Sequence, residues 1–217
     1  NRAAFEVKPA RSKNHTVDDA LMRYAREVSP GKKGERWETV RILKMCRDNM
    51  ANIKLKDLTP AHLATWRDGR LKEVAPSSVN REISLLSSIF NTAMMEWGWL
   101  EDNPLSKIRR PKNPPPRDRR ITQDEIDLIL DKCPRQEMAV LFELAIESAM
   151  RLSEMIGITR DAVKVLDNGK GVVTLMDTKN GTRRLVPLSS RAVELLESID
   201  YNFTMSPGLA SKTFHDL

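Results

Sequence analysis

The chain of 217 residues is long enough for one or two domains, and its 40% of hydrophobic residues can supply a buried core for each. No apolar run approaches the roughly 18 residues of a membrane span, and no apolar signal region follows the N-terminus, so we expect a cytoplasmic protein that contacts no membrane. The net charge of +6 and the pI of about 9.4 allow a polyanionic partner without requiring one.

Apolar residues at helical spacing predict three helices in the first part of the chain, after a polar tail at residues 1–15. TVDDALMRYAREV begins at Thr16, which is a suitable N-cap, and LTPAHLATWRDGRL has Thr59 as N-cap and Pro60 at the first helical position. Between them lies ERWETVRILKMCRDNM. Its predicted core-facing residues are Trp37, Val40, Leu43 and Met50.

A fourth helix is predicted in PSSVNREISLLSSIFNTAMMEWGWL, where Gly98 provides a stop. Its apolar stripe consists of Val79, Ile83, Leu86, Phe90, Ala93 and Trp97. Near the helix start lie Ser77, Asn80 and Arg81, where backbone amides and a basic side chain could hold a phosphate. An ordinary capped surface helix explains these three residues equally well.

Residues 107–120, KIRRPKNPPPRDRR, form a segment that we call the basic strap. It carries seven Lys or Arg residues and four prolines, and proline excludes a helix here. The cations of the strap that could contact the phosphates of a polyanionic partner are Arg109, Arg110, Lys112, Arg119 and Arg120. A solvated linker is the alternative interpretation.

The second part of the chain mixes helices with strands. Thr122 and Glu125 form a capping box in ITQDEIDLILDKC, whereas GVVTLMDTKNGTRRLVPLS contains two β-type runs around Asn180-Gly181, a strong hairpin signal. A helix follows in SSRAVELLESI, capped by Ser189 or Ser190. We therefore predict a mainly α protein, with a helical domain at 16–106, the basic strap, and an α+β domain with a small β-hairpin sheet at 121–217.

Three cations stand at positions that suggest a site. In LFELAIESAMRLSEMIGITRDAV, helical spacing puts Arg151 on the apolar face, where a charge needs Glu147, Glu154 or a bound anion as its partner. Lys179 adjoins the predicted hairpin turn, and His215 lies near the end of the chain. Phosphate-binding glycine loops, HExxH, carboxylate clusters and paired cysteines at ligand spacing are missing from the sequence, so we predict no cofactor and no metal site.

Taken in order, SAMRLSEMIGI, DTKNGTRRLVPLS and TFHDL resemble the catalytic motifs of the tyrosine recombinase family, the phage-type integrases. The block SSVNREISLLSSIFNTAMMEWGWLEDNPLSKI, followed by a basic linker and ITQDEID, is similar to the core-binding domain and linker of that family. The resemblance covers almost the whole chain from about residue 16.

The resemblance implies a role for individual residues. Arg151 matches the arginine that binds the scissile phosphate, and Glu154 matches the acid that supports the fold around it. Lys179 matches the hairpin lysine that protonates the leaving 5′ hydroxyl, and His215 matches the histidine that opens the His-x-x-Arg motif. Arg183 is an additional predicted DNA contact.

The match ends at Leu217, before the second arginine, the later histidine or tryptophan and the tyrosine nucleophile. Tyr24 and Tyr201 precede His215, so neither occupies the place of the nucleophile. The family also has a helix of some length between the positions of Lys212 and Thr213, which are adjacent here. We expect that a segment is omitted there and that the C-terminal part is missing; an internal deletion is the alternative.

The implied activity is site-specific DNA recombination or integration by transesterification through a 3′-phosphotyrosine, in a bacterial or phage-encoded enzyme. The implied partner is double-stranded DNA clamped by both domains, with a homo-tetramer on DNA and a monomer without it. The main alternative is a non-catalytic DNA-binding protein on the same scaffold. A helical protein-interaction module and a type IB topoisomerase are weaker alternatives, and the short helical domain before the strap favours a recombinase.

Overall fold

The computed structural model describes residues 14–176 and 183–217. The chain divides into two compact units, Asn1–Arg117 and Asp118–Leu217, and each has a hydrophobic core of its own. No helix of the described part is long and apolar enough to cross a membrane.

The first unit is helical, as predicted. Its α-helices are α1 (Val17–Glu27), α2 (Glu35–Met45), α3 (Pro60–Leu71) and α4 (Pro76–Met95). The predicted caps are confirmed, because the side-chain oxygens of Thr16 and Thr59 accept hydrogen bonds from the backbone amides of Asp19 and His62. Helix α3 begins at Pro60, where a missing amide hydrogen breaks no helical bond.

Helix α4 is the centre of the first core. Five of the six predicted stripe residues lie within the helix and are buried: Val79, Ile83, Leu86, Phe90 and Ala93. Trp97 lies beyond the helix end and is partly buried against the same core, and Gly98 adopts a positive φ of 65°. The prediction of the α4 core face is therefore confirmed.

Of the four predicted core-facing residues of the α2 segment, only Met50 is buried, and it lies beyond the end of α2. Within α2, Trp37 is 65% exposed and Val40 and Leu43 are also exposed, whereas Ile42 and Met45 are buried. The segment contains two apolar stripes, and only the one formed by Ile42 and Met45 faces the core.

A buried ion pair joins α3 to α4. The guanidinium of Arg70 donates from Nε to Glu82 Oε2 at 2.8 Å and from Nη2 to Glu82 Oε1 at 2.7 Å. Both residues are buried, and these hydrogen bonds raise the pKa of Arg70 above its ordinary value. Because Glu82 lies in the second turn of α4, the pair fixes the beginning of that helix against α3.

The second unit combines helices with a small antiparallel sheet. Its α-helices are α5 (Gln123–Lys132), α6 (Gln136–Ser148), α7 (Leu152–Ile156), α8 (Ser190–Glu197) and α9 (Pro207–His215). The predicted capping box of Thr122 with Glu125 and the Ser189 cap of α8 are confirmed. Helix α9 runs without a break through Lys212 and Thr213.

The described strands form one sheet of order β1-β2-β3, with β1 at Val163–Val165, β2 at Gly171–Leu175 and β3 at Arg184–Leu188. The predicted pairing of β2 with β3 is confirmed, with Leu175 opposite Arg184, while β1 is an addition to the predicted hairpin. The predicted Asn180-Gly181 turn lies outside the described residues. The mainly helical fold with a small sheet agrees with the predicted fold class.

Candidate functional site: a guanidinium and carboxylate cluster

The chain presents Arg151 at a break between two helices. Helix α6 ends at Ser148, and Ala149 takes the left-handed conformation with φ 50° and ψ 25°. Arg151 is extended and is the N-cap residue of α7. The expectation that Arg151 lies on the buried face of one continuous helix is therefore wrong, and its side chain is 50% exposed.

The Glu154 carboxylate holds Arg151 in two ways. The backbone amide of Arg151 donates to Glu154 Oε2 at 3.0 Å, and Arg151 Nη1 donates to Glu154 Oε1 at 2.8 Å. Of the two acidic partners that the sequence offered, Glu154 is the one used, since Glu147 accepts a hydrogen bond from Ser189 Oγ at 2.6 Å. The capping bond and the ion pair together fix the start of α7 and the side chain that it carries.

A second guanidinium reaches the same carboxylate. Arg184, the first residue of β3, donates from Nη2 to Glu154 Oε2 at 2.6 Å. The Glu154 side chain is 5% exposed, and its burial raises the carboxyl pKa, but the hydrogen bonds from Arg151 and the charges of both arginines outweigh burial and lower the pKa overall. Glu154 is therefore an ionised carboxylate shared by two cations.

Sequence reasoning missed Arg184 and selected Arg183 instead. Arg184 has the same strand parity as the buried residues Val186 and Leu188, so its side chain lies on the core-facing side of β3. Arg183 precedes the strand and is exposed. The alternation of buried and exposed residues along β3, which the structure shows, distinguishes Arg184 from Arg183.

Of the other two predicted catalytic residues, the structure describes His215 alone. Lys179 lies outside the described residues. His215 is the last residue of α9 and is exposed, and its neighbour Phe214 stacks on Phe142 of α6 with ring centroids 5.6 Å apart. An apolar cleft of about 280 Å³ is lined by residues of α6, α7 and α9 and by both sequence neighbours of Arg151, Met150 and Leu152. The lining residues are Met138, Leu141, Phe142, Ala145, Met150, Leu152, Met155, Ala210, Ser211 and Phe214. The end of α9 thus packs beside the segment that carries Arg151.

The basic strap is bound to α4 over its first half. Asn80 Nδ2 donates to the Pro111 carbonyl oxygen and to Asn113 Oδ1, both at 2.9 Å. Arg110 Nη1 donates to Ser84 Oγ at 3.0 Å. The strap has neither helix nor strand from residue 109 onward, as its prolines predict, so these side-chain bonds hold it in place.

The predicted DNA-binding residues fall into two groups. Asn80 and Arg110 are engaged between α4 and the strap, and Arg119 is paired with Glu125 at the start of α5. The others are exposed, and their side chains have no bond to a described residue: Ser77, Arg81, Arg109, Lys112, Arg120 and Arg183. The described residues contain no group of three or more His, Cys, Asp or Glu side chains that could hold a metal.

The fold resembles that of lambda integrase. Over 95% of this chain and 64% of the other, it superposes on one chain of a lambda integrase tetramer bound to a Holliday junction, with a TM-score of 0.75 and 20% identity. At that identity the likeness establishes the fold alone.

Sequence comparisons establish the family. The model of the phage integrase N-terminal domain matches residues 24–112, and that of the phage integrase family matches residues 119–205. A putative integrase/recombinase of Haemophilus influenzae is 35% identical over 85% of this chain and 52% of its own length. The shufflon-specific DNA recombinase of Escherichia coli is 36% identical over 88% of this chain and 52% of its own length.

The chain therefore belongs to the phage integrase family, and tyrosine recombinases are among its other matches. The family predicted from the sequence motifs is confirmed. The chain spans about half the length of the two curated relatives above.

Proposed function

We propose that this protein carries out site-specific DNA recombination by transesterification through a 3′-phosphotyrosine intermediate. The observation that carries the proposal is the half-exposed guanidinium of Arg151, which is held by one edge to Glu154. Its Nη2 and Nε donors make no bond to a described residue, so they can donate hydrogen bonds to an oxyanion. A planar fork of this kind matches the non-bridging oxygens of a phosphodiester.

In the proposed reaction a tyrosine oxygen attacks the scissile phosphorus, a bond forms to the 3′ phosphate, and the bond to the 5′ oxygen breaks. The 5′ hydroxyl of a second strand later reverses the step, so no external energy is needed. Negative charge grows on the non-bridging oxygens during each step. Arg151 stabilises that charge, Lys179 gives a proton to the leaving 5′ oxygen as general acid, and His215 contributes a further hydrogen bond to the phosphate.

The proposed nucleophile is a tyrosine outside residues 1–217. Tyr24 and Tyr201 are the two tyrosines of the sequence, and both are buried. The hydroxyl of each accepts a hydrogen bond, that of Tyr24 from Lys32 and that of Tyr201 from Arg160. Burial raises the pKa of Tyr201, which further disfavours the ionised oxygen that would attack phosphorus.

Double-stranded DNA is the proposed partner, and the exposed members of the predicted contact set are its first ligands. Lys112, Arg109 and Arg120 lie along the strap, while Ser77 and Arg81 lie at the start of α4. Further proposed DNA ligands, each within its own unit, are Arg110, Arg119, Asn80 and Arg183. The first three would exchange a bond within their own unit for a phosphate, so we expect smaller contributions from them.

The relative from Escherichia coli bears the name of a DNA recombinase, and the lambda integrase was solved as a tetramer on a Holliday junction. We propose a homo-tetramer on DNA and a monomer without it.

The test is strand cleavage of a suicide substrate by the full-length protein, measured as covalent protein–DNA adduct. By analogy with the loss of one oxyanion donor, Arg151→Ala should raise the barrier by about 3–4 kcal/mol, which is a rate loss of about 10²–10³-fold. Lys179→Ala should also lower the cleavage rate. Arg191→Ala is a matched control, because it removes an exposed arginine of the same unit that pairs with Glu143 instead of Glu154. Unchanged rates for Arg151→Ala and Lys179→Ala would reject the assignment.

A DNA-binding protein without chemistry is the second candidate, because the exposed cations of the strap could bind DNA phosphates without any reaction. It predicts salt-dependent DNA binding and no covalent adduct with the wild-type protein. If about six phosphate contacts form, the log of the affinity should fall against the log of the salt concentration with a slope near −5. A pure protein-interaction module would show no such slope.

A further inference from the structure

Glu154 is bound from two different elements of the second unit. Arg151 reaches it from the start of α7, and Arg184 reaches it from β3, with Nη2 at 2.6 Å from Oε2. The register of β3 is fixed by its pairing with β2, where Arg184 stands opposite Leu175. The sheet therefore holds a carboxylate that α7 carries, and the carboxylate in turn holds Arg151.

The charges of the three residues explain why two arginines are needed. Arg151 and Glu154 alone would form a neutral pair, and a neutral pair attracts a phosphodiester weakly. With Arg184 the cluster carries a net charge of +1, and the single carboxylate is shared between two guanidinium groups. Because the Glu154 side chain is almost fully buried while Arg151 is 50% and Arg184 41% exposed, the excess positive charge of the cluster faces solvent.

We infer that Arg184 is a positioning residue for the DNA transfer reaction: it anchors the Glu154 carboxylate and so keeps the Arg151 guanidinium oriented and cationic for the scissile phosphate. This inference rests on the proposed function. It assigns to Arg184 no contact with DNA, because the Arg184 guanidinium, although 41% exposed, is bound to Glu154. The predicted role of Arg183 is affinity.

The decisive measurement is single-turnover cleavage of the suicide substrate at saturating DNA. A shift of about 1 Å in a reacting group can lower a rate about 100-fold, so Arg184→Ala should slow cleavage by about 10–100-fold with DNA affinity within about threefold of wild type. Arg184→Lys keeps the charge and one donor and should recover part of the rate. Arg184→Gln keeps a donor without the charge and should stay slow.

A matched control separates positioning from stability. Arg191→Ala removes a different ion pair between two elements of the same unit and should leave the cleavage rate within about twofold of wild type. Thermal melting of each variant checks folding, and the lysine and glutamine variants keep a hydrogen bond to Glu154 if the alanine variant is unstable.

The inference is overturned if Arg184→Ala cleaves at the wild-type rate, if the lysine variant is no faster than the alanine variant, or if Arg191→Ala is equally slow. A second readout does not need activity. Inorganic phosphate should raise the melting temperature of wild type more than that of Arg151→Ala or Arg184→Ala, and the double variant should behave like either single variant. A wild-type protein that forms no adduct would reject the proposed function, whereas additive losses of phosphate protection would reject the role of Arg184.

Discussion

Loss of the Glu82 carboxylate should destabilise the first unit by about 3 kcal/mol. The Arg70 and Glu82 side chains are 7% and 12% exposed and share two hydrogen bonds, so Glu82→Met leaves a buried guanidinium without its main partner. Breaking such a pair from one side costs about 3–5 kcal/mol. The lower end applies because Glu73, which is 61% exposed, still contacts Arg70.

Urea unfolding of the 217-residue chain measures this loss. All four tryptophans of the chain lie within the first unit, so tryptophan fluorescence follows that unit alone. The double variant Arg70→Met with Glu82→Met removes both charges and should recover to within about 1 kcal/mol of wild type. Asp102→Asn breaks the exposed pair with Lys107 and should cost less than about 1 kcal/mol. A loss below about 1 kcal/mol for Glu82→Met, or no recovery in the double variant, would refute the reasoning.

Three further predictions concern other residues. Ala149→Gly should stabilise the second unit by about 0.5–1 kcal/mol in urea unfolding, because glycine adopts the positive φ of this position without a Cβ clash; a less stable variant would contradict this. The pKa of Glu137 is lowered: burial raises it, but hydrogen bonds from the side chain and amide of Thr204 outweigh that effect. A lowered folded-state pKa gives stability that is present above the unfolded pKa of about 4.3 and is lost as the pH falls through the folded value, so stability of Glu137→Gln should fall less than that of wild type between about pH 5 and 2. Lys112→Ala should reduce the salt slope of DNA binding by about 0.9 and weaken binding equally for specific and random duplexes, and a loss confined to the specific site would indicate a base contact.

Local signals in the sequence determined where most helices begin. Thr16, Thr59 and Thr122 are N-caps because a side-chain oxygen satisfies amides that the helix itself leaves unbonded, and this depends only on residues within one turn. The α4 stripe was equally clear, since five turns of regular spacing leave a single apolar face. The motifs around Arg151, Lys179 and His215, in their order, were sufficient for the family.

Only the tertiary structure decided which of several locally possible arrangements occurs. Helix α2 has two apolar stripes, and contact with α1 selects the one with Ile42 and Met45. The break before Arg151 falls at an alanine instead of a glycine, so no local signal marked the positive φ that ends α6. The bond between Arg184 and Glu154 joins residues 30 positions apart. It depends on the register of a sheet and the direction of a helix, and these are fixed by the whole core of the second unit.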